Sequence, residues 1–268
     1  MKVRWVGIVN VTPDSFSDGG QAYSAESAVE SIETLFKQGA TMVDVGAEST
    51  RPNAILLSPE EEWERLGPVF TLLATCHPSR LALISVDTRH PETVARVLPY
   101  NIGWINDVTG FSDPRMLDAV QSSSCYLVVM HSLGVPADPK ITLSGDQDVI
   151  EQLLHWMHQK LERFDAHGID RSRIIFDPGI GFGKTSAQSL ELIRRAGELR
   201  AAGTRLLIGH SRKSFLRSFT SAKPQDRDTL TALTSVYLCG QGVDYVRVHN
   251  VEVNQTALHY WDTLHEVI

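Results

Sequence analysis

The sequence lacks any long uncharged hydrophobic run, and it contains only three cysteines. No stretch reaches the length of apolar residues that a membrane-spanning helix needs. Cys76, Cys125 and Cys239 form an odd set without a motif, which is typical of reduced thiols. The N-terminus runs straight into strand-like sequence without the apolar stretch of a signal peptide. These features predict a cytoplasmic enzyme.

Positively charged residues are also fewer than negatively charged ones, and the formal net charge is -7. Nucleic acids attract basic surfaces through their phosphates, so this balance argues against a nucleic-acid partner. It does not exclude a small anionic ligand, because such a ligand responds to local Arg, Lys and His side chains. Hydrophobic residues make up 42% of the chain, enough for a sizeable core.

Short apolar runs alternate with helical patterns along the whole chain, giving eight β-then-α units. The predicted strands are Val6–Val11, Met42–Ala47, Leu81–Asp87, Trp104–Val108, Tyr126–His131, Ile174–Asp177, Arg205–Gly209 and Tyr245–His249. Strict alternation indicates parallel strands joined by right-handed crossovers. Eight units in about 250 residues fit a closed (β/α)8 TIM barrel of the α/β class. The alternative is an open doubly wound sheet, which fewer strands would favour. No linker divides the chain, so residues 1–268 are expected to form a single domain.

Helix-start signals support this division. Ser58-Pro59-Glu60-Glu61 combines an N-cap serine, a first-position proline and a capping-box glutamate. Asp113 and Asn250 are expected to cap helices. The sixth helix is predicted around Leu190–Leu199 and the last one from Val253 towards Leu264.

Polar residues collect just after the predicted strands. They are Asn10, Glu48-Ser49-Thr50-Arg51, Asp87, Asn106-Asp107, His131, Asp177, Ser211-Arg212-Lys213, Arg247 and His249. In a barrel these positions converge on one rim, where the βα loops form the active site. A single such residue is readily explained as a cap, but caps do not require Lys, Arg and His together at strand ends.

Strand parity assigns directions to the last strand. Side chains alternate across a strand, so Arg247 and His249 share one face, and Val246 and Val248 share the other. The apolar face must pack on helices, which turns Arg247 and His249 inward. Together with Asn10 on the neighbouring strand they suit a phosphate.

Two inward carboxylates, Asp87 and Asp177, and the amide of Asn106 suit a planar heterocycle with ring N–H and amino donors. Lys213 could donate to a ring carbonyl opposite them. A buried carboxylate is costly unless something polar meets it, and a divalent metal bound by the acids would serve equally well. The residues alone leave both ligands open.

The glycine-rich stretch from Asp177 to Thr185 fails two nucleotide motifs. A Walker A loop would need a glycine where Pro178 stands, and the Gly-x-Gly-x-Gly spacing does not match a dinucleotide fingerprint. What remains is a tight loop that presents Phe182 at the rim. His155 and His158, three residues apart on an outer helix, are expected to be surface histidines and not metal ligands.

The motifs and their order resemble those of the dihydropteroate synthase family. They are residues 10–20, Asn-Val-Thr-Pro-Asp-Ser-Phe-Ser-Asp-Gly-Gly; residues 45–52, Val-Gly-Ala-Glu-Ser-Thr-Arg-Pro; Asp87-Thr88; Ile105-Asn106-Asp107; Met130-His131; residues 177–184, Asp-Pro-Gly-Ile-Gly-Phe-Gly-Lys; Ser211-Arg212-Lys213-Ser214; and Arg247-Val248-His249. The resemblance covers essentially the whole chain. It implies a TIM-barrel transferase of folate synthesis that joins 6-hydroxymethyl-7,8-dihydropterin pyrophosphate to p-aminobenzoate with Mg²⁺.

The resemblance also implies site roles, residue by residue. Pterin would be held by Asp87, Asn106, Met130, Asp177 and Lys213. Pyrophosphate would be held by Asn10, Arg247 and His249, with Asn10 also reaching Mg²⁺. The p-aminobenzoate side would be framed by Phe16, Thr50, Arg51, Pro52, Phe182, Ser211 and Lys213. Catalysis would rest on Asp18, Asp177, Lys213 and Arg247. The family further implies a homodimer and sulfonamides as inhibitors.

The expected chemistry needs no covalent nucleophile. Pyrophosphate would leave first, its charge neutralised by Mg²⁺, Arg247 and His249. Asp177 or Asp18 would stabilise the pterin methylene cation that remains, and the aniline nitrogen would then attack. Three other functions are weighed against this one: a pterin-dependent methyltransferase acting on a corrinoid, a catalytically silent pterin-binding paralogue, and a metal-dependent aldolase or phosphate-binding barrel.

Overall fold

Eight parallel strands close into a barrel in the computed structural model, which describes residues 3–12, 24–50 and 54–266. The strands are β1 (Arg4–Asn10), β2 (Met42–Gly46), β3 (Ile84–Asp87), β4 (Trp104–Asp107), β5 (Tyr126–Met130), β6 (Ile174–Asp177), β7 (Arg205–Ile208) and β8 (Tyr245–Val248). Each strand pairs with its sequence neighbours, and β8 pairs with β1 to close the ring. The predicted (β/α)8 barrel is confirmed, and the open sheet is excluded.

A helix follows every strand and packs outside the barrel. The helices are α1 (Ala25–Lys37), α2 (Pro59–Cys76), α3 (Pro91–Val97), α4 (Pro114–Gln121), α5 (Val149–Ala166), α6 (Ser186–Arg194), α7 (Asp228–Gly240) and α8 (Val251–Glu266). Among the described residues, no helix is long and apolar enough to cross a membrane.

Local sequence signals explain where most helices begin. Ser58 and Glu61 form the expected capping box, with each side chain accepting the other residue's backbone N–H. Asp113 caps α4 as predicted, and Asn250 Oδ1 accepts from the Val253 backbone in the first turn of α8.

Two predicted elements are displaced. The sixth helix begins earlier than expected, at Ser186, because Thr185 and Gln188 form a second capping box that the apolar pattern does not reveal. A 3-10 segment, Ala196–Ala202, replaces its predicted end. The third strand is shorter than predicted, since Pro78–Leu83 forms a 3-10 turn.

The barrel interior contains its own apolar cluster, separate from the larger core between strands and helices. Its buried members are Val6, Met42, Trp104, Val128, Ile175, Leu207 and Tyr245. The rings of Trp104 and Tyr245 meet edge to face, with centroids 4.8 Å apart. We call this cluster the apolar layer; it fills the part of the barrel below the polar strand ends.

Candidate active site

On four of the strands the polar pocket begins two residues beyond the apolar layer. Because side chains alternate, residues two apart on a strand face the same side. The step from apolar to polar is Met42 to Asp44, Trp104 to Asn106, Ile175 to Asp177 and Tyr245 to Arg247. Within two residues along each of these strands, the inward-facing side chains thus change from a packed apolar core to a charged pocket.

Arg247 extends from β8 across the pocket to two carboxylates. Its Nη1 donates to Asp44 Oδ2 on β2 and lies 3.4 Å from Asp87 Oδ2 on β3. The inward direction predicted for Arg247 is confirmed. Burial and the neighbouring Asp44 raise the pKa of Asp87 to about 8, although Arg247 opposes the shift.

Asp44 was missed in the sequence, and it lies at the centre of the pocket's hydrogen-bond network. Its carboxylate accepts from Ser85 Oγ at 2.6 Å, from Asn106 Nδ2 at 3.0 Å and from Arg247. The parity of β2 could have identified it, because Asp44 shares a face with Met42 and follows it by two. It was overlooked because it lies inside the strand and not after it.

Asp177 and Lys213 face the other side of the pocket. Asp177 Oδ1 accepts from the Gly179 backbone N–H at 2.8 Å, and burial raises the pKa of this carboxyl. Lys213 Nζ donates to the Ile180 carbonyl at 2.6 Å and lies 4.7 Å from the centre of the Phe182 ring. Burial lowers the pKa of Lys213 to about 7, while the Asp177 carboxylate acts in the opposite direction.

A buried lysine fixes the glycine-rich loop against the end of β5. Lys184 Nζ donates to His131 Nδ1 and to the Phe182 carbonyl, both at 2.8 Å. Burial and the adjacent Lys184 lower the pKa of His131 to about 3, so the imidazole is neutral. Gly179 has a φ of +66°, and a Cβ there would lie 2.0 Å from the His131 carbonyl oxygen. Only glycine permits this close approach, which seats the loop over buried Met130.

The residues predicted to hold pyrophosphate have different neighbours in this structure. His249 Nδ1 is 2.9 Å from Ser211 Oγ, and Asn10 is exposed at the end of β1. Arg247 is paired with Asp44 and Asp87 in the deeper pocket. Binding a pyrophosphate at the final strand would therefore require the guanidinium to move or to serve both sides.

Several other polar residues at strand ends form ion pairs or hydrogen bonds that hold the loops. Glu48 forms a two-bond pair with Arg89 at 2.7 and 3.0 Å. Arg212 does the same with Asp228, and Asp107 accepts from the Thr109 and Phe111 backbones. His155 and His158 are exposed on α5, as expected for surface histidines.

The p-aminobenzoate residues are only partly described. Thr50 lies at the start of the second loop, where its carbonyl accepts from the Ala137 backbone at 3.4 Å. Phe182 and Ser211 are at the rim through their contacts with Lys213 and His249. Phe16, Asp18, Arg51 and Pro52 lie outside the described residues.

The donor set can be compared with the needs of Mg²⁺. Within residues 3–12, 24–50 and 54–266, no three His, Cys, Asp or Glu side chains are grouped as a metal cage. Mg²⁺ commonly takes one or two protein oxygens and fills its remaining positions with phosphates and water. The exposed amide of Asn10 fits that pattern, whereas Asp44 and Asp87 are already paired with Arg247.

Comparisons with known proteins agree on one family. Residues 6–249 match the model of the pterin binding enzyme family. A folate synthesis bifunctional protein of Chlamydia caviae is 42% identical over 97% of this chain, which spans only 59% of that protein's length. The dihydropteroate synthase of Staphylococcus haemolyticus is 35% identical, with 99% of this chain and 96% of that protein aligned. A structure of the Yersinia pestis dihydropteroate synthase with a sulfonamide drug complex has a TM-score of 0.89 and 31% identity, covering 99% of this chain and 95% of that one.

Proposed function

Because the chain belongs to the pterin-binding enzymes, among the dihydropteroate synthases, we propose that it performs their transfer reaction in folate biosynthesis. It joins 6-hydroxymethyl-7,8-dihydropterin pyrophosphate to p-aminobenzoate and releases 7,8-dihydropteroate and pyrophosphate. The supporting observation is one buried pocket in which Asp87, Asn106 and Asp177 present oxygens and Lys213 presents a donor.

The pterin ring suits this pocket because its edges alternate between donors and acceptors. A carboxylate can accept two parallel N–H bonds from an amidine-like edge, which is the arrangement available to Asp177 or Asp87. Lys213 would donate to the ring carbonyl, and Met130 would pack against the ring face. Burial makes each of these polar contacts more selective, because an unmatched buried group is costly.

Pyrophosphate would be bound at the mouth of the pocket by Arg247, His249 and Asn10. When bound there, Mg²⁺ would neutralise negative charge on the pyrophosphate, with Asn10 as its protein ligand. Arg247 would supply the remaining positive charge, and Asp44 and Asp87 would compete for the same guanidinium.

The reaction breaks the bond between the pterin methylene carbon and the pyrophosphate oxygen, and the electron pair leaves with pyrophosphate. Asp177 or Asp18 would stabilise the cation formed on the pterin methylene. The aniline nitrogen of p-aminobenzoate then forms the new C–N bond and loses its proton to pyrophosphate or water. The side chains that surround this nitrogen would be Phe16, Thr50, Arg51, Pro52, Phe182 and Ser211.

Sulfonamides resemble p-aminobenzoate, and the Yersinia pestis relative was solved in a sulfonamide drug complex. We therefore expect sulfonamides to compete for the p-aminobenzoate side of this site. The cytoplasmic location remains a prediction from the sequence.

The activity is tested by measuring pyrophosphate release with both substrates, with and without Mg²⁺, and by identifying the product by mass. Lys213→Met should abolish turnover, while Lys223→Met, at an exposed position beyond the pocket, serves as the matched control. Pterin binding without any dihydropteroate would identify a silent paralogue and contradict the proposal. Methyl transfer to a corrinoid would contradict it in favour of the methyltransferase class.

A homodimer is the second part of the proposal, and apolar side chains on the adjacent helices α7 and α8 support it. Leu233, Tyr260, Trp261 and Leu264 are between 48% and 66% exposed. Exposed apolar surface of this kind commonly marks an interface. Light scattering should give a dimer mass, and Trp261→Glu should shift it towards the monomer while His259→Glu should not. A monomeric parent protein would contradict this part.

A further inference from the structure

Asp44 is a buried carboxylate to which neither the family resemblance nor the proposed reaction gives a role. It is 2% exposed and lies on the pocket side of β2, paired in register with Ser85. Oδ1 accepts from Ser85, while Oδ2 accepts from both Asn106 and Arg247. Three donors thus converge on one side chain beneath the proposed pterin site.

The bond to Asn106 constrains what that residue can offer a ligand. A side-chain amide has a donor end and an acceptor end, whereas an ionised carboxylate only accepts. Asp44 therefore takes the Nδ2 end of Asn106 and leaves the Oδ1 end for something else. In the described residues, Oδ1 of Asn106 is buried and has no hydrogen-bond partner.

An unpartnered buried acceptor is unfavourable until a donor meets it. Asp87 and Asp177 present acceptors to the same pocket, so the side-chain oxygen of Asn106 adds a third hydrogen-bond acceptor. If the amide were reversed, its NH2 group would face the pocket and repel a ligand N–H. The direction of one amide thus decides which hydrogen-bond pattern the pocket selects.

We propose that Asp44 is a positioning residue that holds the Asn106 amide with its oxygen towards the ligand, and so selects a ring N–H or amino group at that point of the pterin. This inference rests on the proposed function. Ser85 supports the role from β3, because its hydroxyl fixes the carboxylate oxygen that faces away from Asn106.

A competing explanation is that Asp44 serves only as the counterion of Arg247. The two roles differ in what an asparagine at position 44 would do. Asp44→Asn removes the charge but keeps an oxygen that accepts from Asn106 Nδ2, with the new NH2 group placed on Ser85. Asp44→Leu keeps the branched shape, with two larger methyl groups in place of the oxygens, and removes the acceptor altogether.

The test is calorimetric binding of 6-hydroxymethylpterin to the parent protein and to both variants, compared with binding of pyrophosphate. Asp44→Leu should weaken pterin binding by about tenfold or more, while Asp44→Asn should remain within about threefold of the parent. Equal losses in the two variants would show that charge alone matters and would overturn the proposal. Parent-like pterin binding by Asp44→Leu would overturn it as well.

A measurement on the parent protein keeps the test decisive if Asp44→Leu does not fold. The side-chain NH2 group of Asn106 should exchange slowly with deuterium, in the free protein and with pterin bound, because it is buried and donates a hydrogen bond to Asp44. Rapid exchange in either state would overturn the inference. Absence of pterin binding by the parent protein would instead contradict the proposed function, so the two failures are distinguishable.

Discussion

The apolar layer and the polar pocket are built by the same strands, yet they have opposite physical characters. Trp104 and Ile175 lie in a closely packed cluster, while Asn106 and Asp177, two residues further on, lie among buried charges. The barrel thereby places stability and function in adjacent layers of the same strands. Packing in the apolar layer stabilises the fold, whereas burial in the pocket opposes the ionisation of Asp87 and Asp177.

The charges of the pocket partly balance one another. Asp44 and Asp87 face Arg247, and Asp177 lies where Lys213 and Arg247 both favour its ionised form. Burial nevertheless raises the pKa of Asp87 and of Asp177. Binding of a ligand that supplies matching hydrogen-bond donors should therefore stabilise the pocket.

Removing the indole ring of Trp104 from the apolar layer should produce the largest change in stability. Trp104→Ala should lower the free energy of unfolding by about 3–5 kcal/mol, because it deletes a buried aromatic side chain and leaves a cavity beside Tyr245. Denaturant unfolding measures the loss, and pterin binding should be retained by the folded variant. If pterin affinity fell in proportion to stability, the two layers would not be separable.

Neutralising a pocket carboxylate should have the opposite effects: pterin binding should weaken, and stability at high pH should rise. Asp87→Asn should weaken pterin binding by about tenfold to a hundredfold, because asparagine offers one acceptor oxygen where a carboxylate paired with the ligand's N–H groups offers two. The folded-state pKa of about 8 lies above the ordinary 3.8, so the acid's contribution to stability is full below pH 4 and is lost as pH rises to about 8. The variant should thus be more stable than the parent above pH 8.

The gain should be small, on the order of 1 kcal/mol, because 29% of the Asp87 side-chain surface remains exposed. Thermal unfolding at pH 6 and pH 9 would measure it. A variant destabilised at pH 9 would show that the ion pair with Arg247 outweighs the cost of burial.

Sequence reasoning predicted the barrel and most of the pocket because both follow from periodic patterns. Alternating β and α segments give the fold, and parity gives the inward direction of Arg247. Asp44 was not found, because a single polar residue within an apolar strand carries no motif and its three partners are 41, 62 and 203 positions away in the sequence. The early start of α6 was missed for a local reason, since Thr185 and Gln188 cap the helix before its apolar stripe begins.

Glu62 is a buried carboxylate that lies outside the pocket. Glu62 on α2 is fully buried between helix and barrel, where its Oε2 accepts from Thr88 Oγ1 at 2.6 Å and its Oε1 has no partner among the described residues. Burial raises the pKa of Glu62 to about 7, and its hydrogen bond from Thr88 opposes the shift only in part. Glu62 therefore carries the same cost as the pocket acids without facing the proposed ligand.

Glu62→Gln should raise the free energy of unfolding at pH 8 by about 1–2 kcal/mol and should change nothing at pH 4. The sign follows from the raised pKa: the acid's stabilising contribution is complete below 4.5 and is lost as pH rises through about 7. Glutamine keeps an oxygen for Thr88 and brings no charge, so its stability should vary less with pH. Glu64→Gln, at an exposed position of the same helix, is the matched control and should follow the parent at every pH.

Denaturant titrations between pH 4 and pH 8 would measure these free energies of unfolding, with pterin binding measured alongside. If Glu62→Gln weakened pterin binding as strongly as Asp87→Asn, the boundary of the functional region would have to include the packing of α2 behind β3.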